Sequence, residues 1–503
     1  MRKNEGYIVV ISLAIATVIL LLLGVFLGSI IVERKNIQRS FHYSQALYVA
    51  EAGIEKTLCY LKQHLQDGGV WTDSMINGET VVDDPDEDGW RSFINSSLGS
   101  GSYSVELRPV SAYQIWVKST GNVDDVSRSI QVFVEAQNLS PWNNSIYAGR
   151  GSAAGTVISG NARIHGSVHI LGDELESDDV AISFTGTAGI WNNYEGMPAE
   201  LATKIPPCPT TTFNGETVES LGAVVRVKRG KVALSGTGTV GQEDVPGNSF
   251  KETVDAVYIT DGYGGNKGAA NVYSDNGTGN TYDLGDLLEF PSLTDPYIDP
   301  DTGVEYPTYL EYLSDNSVHI SINEISSKVD SFSYSDGTNS ISWDPNTGVL
   351  NIEGIVFVDT DSLDIGEKDE TIEYTGNGSI VVARISDSTV AGEIRVHGNL
   401  LAQGTYPAGG FPTNSLGLIT GDLYLATGES QRLMTGVFFA ENQIISEKQT
   451  EIAGTFVSNY FDLGSQVPRV YQVPELATNL PPGMVASSPV WDLVITQWNE
   501  STS

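Results

Sequence analysis

The most apolar part of the chain is its first segment. Residues 7–32, YIVVISLAIATVILLLLGVFLGSIIV, contain no charged side chain. A helix of about 20 apolar residues crosses the hydrocarbon layer of a bilayer, so this stretch predicts a transmembrane helix with some tilt or overhang. A secretory signal peptide would have an apolar region of about 7–15 residues and a small-residue cleavage site. The sequence has neither feature.

An amphipathic pattern continues the helix over residues 33–66. Apolar side chains recur there at steps of three, four and seven, the spacing of one helix face; they are Leu47, Ile54, Leu58, Leu61 and Leu65. No proline occurs in residues 1–84, and the glycine pair at 68–69 is the predicted stop. The outer half of this helix is therefore expected to pack against protein.

Period-two alternation replaces the helical pattern after residue 100. Apolar and polar residues alternate in three runs that begin at Tyr103, Ile115 and Ile130. This pattern is typical of an antiparallel meander with one buried face. Residues 67–138 are therefore predicted to form a small antiparallel β unit whose apolar face covers the helix stripe.

A six-residue repeat opens the longest part of the chain. Ile158, Ile164 and Ile170 are six residues apart, and a glycine follows each of them by two positions. Such a repeat suits one short strand and one corner, with the branched residue inward. Farther along, glycines followed by apolar runs recur at separations that converge on 18; they are Gly354, Gly378, Gly398, Gly417, Gly436 and Gly454.

A spacing of 18 residues equals three six-residue repeats, which would form one triangular coil. Residues 139–480 are therefore predicted to form a β-solenoid (a parallel β-helix), with residues 481–503 as a C-terminal strand or tail. A β-sandwich, with strands about every 8–12 residues, is the alternative, but it does not explain a spacing of 18. The predicted fold class is mainly β, with a long N-terminal helix, a small antiparallel sheet and a large solenoid. The repeat is similar in a general way to bactofilin-like and other parallel β-helix domains.

Charge and composition restrict the partners of the chain. It carries 63 acidic and 27 basic side chains, a formal net charge of −36. Because such a chain repels phosphate backbones, nucleic acid is excluded as a partner. Two cysteines in 503 residues exclude a disulfide-stapled scaffold and a cysteine-based zinc cluster.

Three features of residues 1–65 form a family pattern: a short basic leader ending in Gly6, the apolar stretch, and the segment AEAGIE at 50–55. Together they resemble the amino-terminal region of PilX-type minor pilins of type IV pilus systems. The resemblance implies that a prepilin peptidase cuts between Gly6 and Tyr7 and that the helix can enter a filament. Major pilins carry a glutamate five residues into the mature chain; this sequence departs from them with Ile11.

The resemblance also implies an assembly helix and a set of partners. The assembly residues it indicates are Glu33, Arg34, Ala50, Glu51, Ala52 and Gly53. The partners are inner-membrane lipid, other pilins, the pilus assembly machinery and the peptidase. Basic flanks tend to stay cytoplasmic, so Arg2 and Lys3 fit a single-pass inner-membrane protein with a periplasmic bulk and the pilus or cell surface as a further location. Arg34, Lys35 and Arg39 follow the apolar stretch as well, so the charges alone orient the helix weakly. A permanent, unprocessed anchor is the alternative.

Few residues offer candidate chemistry. Asp84, Asp86 and Asp88 have the D-x-D-x-D-G spacing of a calcium loop. A complete EF-hand loop would end in glutamate where this chain has Asn95, so a solvated acidic turn is the alternative. The hexad places His165 and His169 at non-core positions, where we expect surface polar side chains rather than metal ligands.

The two cysteines, Cys59 and Cys208, could pair in an oxidising periplasm; free thiols are the alternative. No esterase, nucleotide-phosphate or zinc-protease motif occurs, so no catalytic residue is predicted, and no cofactor other than the calcium candidate.

The predicted function is that of a minor pilin-like structural subunit whose solenoid head contacts a surface glycan or a partner protein. The alternative is a statically anchored periplasmic β-helix protein that binds or acts on polysaccharide.

Overall fold

The computed structural model describes residues 5–67, 69–82, 89–152, 158–299, 302–384, 390–427, 431–446, 448–464, 467–484 and 491–501. The chain divides into two compact units. One unit comprises Met1–Leu139 and Ser488–Ser503, and the other comprises Ser140–Ser487.

A single long helix, α1 (Glu5–Gln66), begins the first unit and is about 93 Å long. Its predicted end is confirmed, because the backbone N–H of Gly69 donates to the carbonyl of His64 at 2.9 Å. Within the described residues, α1 is the one helix long and apolar enough to cross a membrane, and its apolar window is not covered by protein. Its leucine stripe faces inward: Ile54, Leu61 and Leu65 are buried.

An antiparallel sheet covers the second half of α1. Its unit contains β1 (Met75–Ile76), β2 (Glu79–Thr80), β3 (Arg91–Leu98), β4 (Gly101–Ser111), β5 (Gln114–Val123) and β6 (Val126–Asn138). Strands β3 to β6 pair in sequence order. The three predicted alternating runs lie here, and their inward residues form one core with the leucine stripe of the helix.

The second unit is a β-solenoid with short helices at α2 (Ala199–Ala202) and α3 (Tyr309–Asp315). Its strands are β7 (Ile146–Ser152), β8 (Arg163–His165), β9 (Val168–Ile170), β10 (Val180–Phe184), β11 (Gly189–Trp191), β12 (Thr210–Phe213), β13 (Glu216–Glu219), β14 (Val224–Val227), β15 (Lys231–Leu234), β16 (Thr239–Val240), β17 (Ala256–Ile259), β18 (Tyr263–Gly264), β19 (Tyr297–Ile298), β20 (Glu305–Tyr306), β21 (Val318–Ile320), β22 (Glu324–Ile325), β23 (Phe332–Ser335), β24 (Ser340–Asp344), β25 (Val349–Val358), β26 (Ser362–Ile365), β27 (Thr371–Thr375), β28 (Asn377–Val382), β29 (Glu393–Val396), β30 (Asn399–Ala402), β31 (Ser415–Leu425), β32 (Arg432–Ser446), β33 (Thr450–Asp462) and β34 (Arg469–Tyr471).

The six-residue repeat steps around the faces of one coil. Ile158 bridges to β10, Ile164 lies in β8 and Ile170 lies in β9, and all three side chains are fully buried. Parallel neighbours continue each face into the next coil, so branched residues stack on branched residues in a continuous core. The mainly β fold with a β-helix head is therefore confirmed.

The order of coils in the stack differs from their order in the chain. One face runs through β21, β25, β28, β31, β32, β33, β7, β9, β14 and β17, each paired in parallel with the next. The last coil of the chain therefore pairs with the first, with Phe456 opposite Ile146. The chain enters and leaves the solenoid in the middle of the stack.

The six glycines whose separations converge on 18 do not all lie on the same face of the solenoid. Gly436 pairs with Gly454, 18 residues on, and Gly354 pairs with Gly378. Gly398 instead precedes β30, which pairs with β27 on a different face. The prediction that Gly398 belongs to the same series as the other five glycines was wrong. A coil enlarged by loops places glycines at several corners.

The C-terminal strand β35 (Trp491–Ser501) belongs to the helix-bearing unit. It pairs antiparallel with β6, with Trp491 opposite Asn138 and Ser501 opposite Ser129. The sheet order is β3-β4-β5-β6-β35. The solenoid, residues 140–487, is thus an insertion between two neighbouring strands of one sheet, whereas the sequence placed its end near 480 and left 481–503 as a separate segment.

Candidate assembly surface

Beyond its apolar stretch, α1 has a bare apolar face, that is, a row of apolar side chains exposed to solvent. Ile37, Phe41 and Tyr48 follow each other at steps of four and seven, which places them on one face of the helix. Their exposed fractions are 64%, 61% and 67%. These three residues were not predicted from the sequence, although their spacing was a readable signal.

The predicted assembly residues divide between the inner and outer faces of α1. Ala50 and Gly53 are buried, Glu51 and Ala52 are half-buried, and Glu33 and Arg34 are exposed. A methyl group on Gly53 would lie 3.0 Å from the ring of Tyr103. Ala50 and Gly53 therefore serve close packing inside the chain, and the part of the others in assembly stays a prediction.

Gly6 and Tyr7 lie in the first turns of α1, a position compatible with a processing bond at the start of the helix. The side chain of Tyr7 lies outside the described part of the structure. Cleavage between them therefore stays a prediction.

Polar contacts fix the far end of the helix. His64 Nε2 lies 2.9 Å from Asp73 Oδ2, and the backbone N–H of Val70 donates to the same oxygen at 2.9 Å. The hydrogen bond from Val70, followed by that with His64, lowers the pKa of Asp73. Two indoles donate to carbonyls of the last turns, Trp71 to Leu61 and Trp491 to Leu65, each at 3.1 Å.

The prediction that His165 and His169 are surface residues was wrong. His165 stacks on Tyr471 with ring centroids 4.4 Å apart, and its Nδ1 lies 2.6 Å from the carbonyl of Asn193. His169 Nε2 lies 2.7 Å from the hydroxyl of Tyr282. Both rings point out of the coil but are covered by other segments, and burial lowers the pKa of each to about 3.

The two cysteines are free thiols in this structure. Cys59 is exposed on α1, whereas Cys208 is buried in the head. Burial, followed by the charge of Glu219, raises the pKa of Cys208 to about 12, which makes it a poor nucleophile. A disulfide between them stays a prediction.

No group of three or more metal-ligating side chains comes together within the described ranges. The calcium candidates Asp84, Asp86 and Asp88 lie outside those ranges. Calcium binding therefore stays a prediction.

Comparison with solved structures identifies the architecture of the chain. The competence-associated pilin ComZ from Thermus thermophilus superposes with a TM-score of 0.54 at 19% sequence identity, over 92% of this chain and 98% of that one. The fold is type IV pilin-like. At 92% coverage the similarity extends over most of the solenoid as well as the helix-bearing unit. No protein-family model and no curated protein matches the sequence.

Proposed function

We propose that this protein is a minor pilin-like structural subunit of a type IV pilus or a related secretion filament. The observation that supports it most is the bare apolar face at Ile37, Phe41 and Tyr48. A helix that only anchors a protein needs apolar surface within the bilayer, whereas these residues follow the charged side chains Glu33 to Lys35. Helices of neighbouring subunits would cover this face and remove it from water.

We place the processing bond of this proposal between Gly6 and Tyr7, which would leave Tyr7 as the mature amino terminus. The helix would then stay in inner-membrane lipid until the assembly machinery moves it into a filament with other pilins. The solenoid, residues 140–487, is bulky beside subunits packed along a shaft. We therefore propose a tip or low-copy position, with the head presented to a surface glycan or a partner protein, and a structural rather than catalytic role.

The decisive experiment measures processing and assembly together. Mass spectrometry of the wild-type chain should find Tyr7 at its amino terminus, and sheared surface filaments should contain the protein. Phe41→Glu should be processed normally but should be depleted from filaments, because a charge on the bare face prevents helix packing. Val110→Glu, at an exposed position of the sheet, is the matched control and should assemble normally.

Two results would overturn the proposal. One is a full-length chain retained in the membrane in cells that make filaments, which would favour the static anchor. The other is normal incorporation of Phe41→Glu into filaments.

A further inference from the structure

Two arginines occupy neighbouring positions on adjacent coils of the head. Arg163 in β8 is the register partner of Arg469 in β34. Neighbouring strands are about 4.8 Å apart, so two positive side chains leave the solenoid next to each other. They lie where the first coil of the chain meets the last.

The two guanidinium groups converge beside Gly196. Arg469 Nη1 donates to the Gly196 carbonyl at 2.9 Å. A methyl group placed on Gly196 would lie 3.4 Å from Arg469 Nη1 and 3.6 Å from Arg163 Nη1. Because Gly196 is exposed and has no side chain, the point that both groups face is open to solvent.

The two arginines differ in their ion pairing. Arg163 lies 3.8 Å over the ring of Trp191 and donates to Asn161 Oδ1, but it forms no ion pair within the described part of the chain. Arg469 has Glu451 at 3.5 Å, and that carboxylate also accepts from the hydroxyl of Tyr471. Burial, followed by the positive charge of Arg469, lowers the pKa of Arg163, and the negative charges of Glu195 and Glu451 partly offset this effect.

Arg163 and Arg469 thus converge on one open point, and of the two only Arg469 forms an ion pair within the described ranges. We propose that Arg163 and Arg469 bind an oxyanion group, a carboxylate or a phosphate, in the open space beside Gly196. Guanidinium groups form paired, charge-assisted hydrogen bonds with such anions. Trp191 holds the Arg163 side chain in place, so the site is largely formed before the anion arrives. This proposal does not rest on the filament role.

Calorimetric titration of the full-length protein in detergent tests the site, with galacturonic acid and inorganic phosphate as separate probes at constant ionic strength. One or both probes should bind with one site per chain, and Arg163→Gln should weaken that binding by about tenfold or more. Arg229→Gln, at an exposed arginine elsewhere in the head, should bind like the wild type. Binding of galacturonate alone assigns a carboxylate, and binding of phosphate alone assigns a phosphate.

A pair of nearly isosteric variants separates binding from folding. Gly196→Asp and Gly196→Asn both fill the open space, and both residue types tolerate the left-handed backbone found there, with φ +82°. Both variants should lose probe binding. Only Gly196→Asp supplies an internal anion, so its thermal midpoint without probe should exceed that of Gly196→Asn. Absence of binding of both probes to the wild type, unchanged binding by Arg163→Gln, or equal midpoints of the Gly196 pair would each overturn the proposal.

Discussion

At the residue scale, the absence of a side chain determines how closely α1 approaches its sheet. A Cβ atom on Gly121 of β5 would overlap the carbonyl of Ala46 and lie 2.6 Å from the backbone nitrogen of Ala50. These neighbours are helix backbone, which cannot rotate away as a flexible side chain can. Small residues on both elements therefore set the distance between helix and sheet.

Replacing Gly121 by valine should force α1 away from β5. Overpacking of this kind typically costs about 1–3 kcal/mol, so the amides of β4 to β6 should exchange hydrogen faster, by about tenfold or more. Hydrogen-exchange mass spectrometry resolves this unit from the head. Gly279→Ala is the control, because nothing lies within 4 Å of its Cβ position. Unchanged protection in Gly121→Val would mean that the close approach contributes no stability.

The buried His165 makes the head sensitive to acid. Its pKa is lowered from 6.5 to about 3, so between these values the unfolded chain binds a proton that the folded chain does not. The contribution of the neutral ring to the free energy of unfolding is fully present above pH 6.5. It falls as the pH decreases, by up to about 1.4 kcal/mol per pH unit.

Substitution of His165 by asparagine should remove part of this acid sensitivity, because the amide can still donate to the carbonyl of Asn193 but does not titrate. Calorimetric unfolding at about pH 7 and about pH 4.5 should show a smaller loss of midpoint than in the wild type. His319→Asn, at an exposed histidine, should leave the loss unchanged. An equal loss in His165→Asn and wild type would contradict the assigned cause.

At the element scale, the end of α1 depends on strands that are distant in sequence. The last carbonyls of a helix have no partner within the helix, and Trp491 on β35 supplies one for Leu65. The Trp491 ring also stacks on Tyr113, with centroids 5.1 Å apart. The strand that follows the head thus holds the end of the helix that begins the chain.

Trp491→Phe should loosen the last turn of α1 while the aromatic packing remains. Loss of one hydrogen bond in a buried place costs about 1 kcal/mol, so amides of residues 61–66 should exchange about fivefold faster. Trp498→Phe is the matched control, because Trp498 is on the same strand and is exposed. The role given to Trp491 would be untenable if both variants exchanged alike at the helix end.

At the scale of the whole molecule, the two halves of the solenoid are held together in the middle of the stack. There the first and last coils of the chain are joined by side-chain and strand contacts rather than by chain connectivity. Gln472 joins them: its Oε1 accepts from the backbone N–H of Ser167 at 2.7 Å, and its Nε2 donates to the carbonyl of Asn143 at 2.9 Å. Because both chain connections of the head leave from this region, its stability decides whether the head remains one stack.

Gln472→Ala should destabilise the junction between the first and last coils more than it destabilises any single coil. It removes two hydrogen bonds and leaves the buried N–H of Ser167 without this partner, at a cost of about 2–3 kcal/mol. The thermal midpoint of the head should fall, and limited proteolysis should cut first near the junction. Gln497→Ala, at an exposed glutamine of β35, is the control. Equal midpoints for the two variants would show that the junction is held by strand pairing alone.

The sequence by itself determined the elements of this protein, because each depends on a local period: the uncharged stretch and leucine stripe of α1, the alternation of the meander, and the hexad at Ile158, Ile164 and Ile170. The tertiary structure decided what those periods cannot encode. Burial of His165 and the pairing of Phe456 with Ile146 arise between residues about 300 positions apart. The insertion of the head between β6 and β35 also depends on a pairing between distant residues. The local sequence around an outward-facing side chain or a last strand does not indicate which distant segment will cover it.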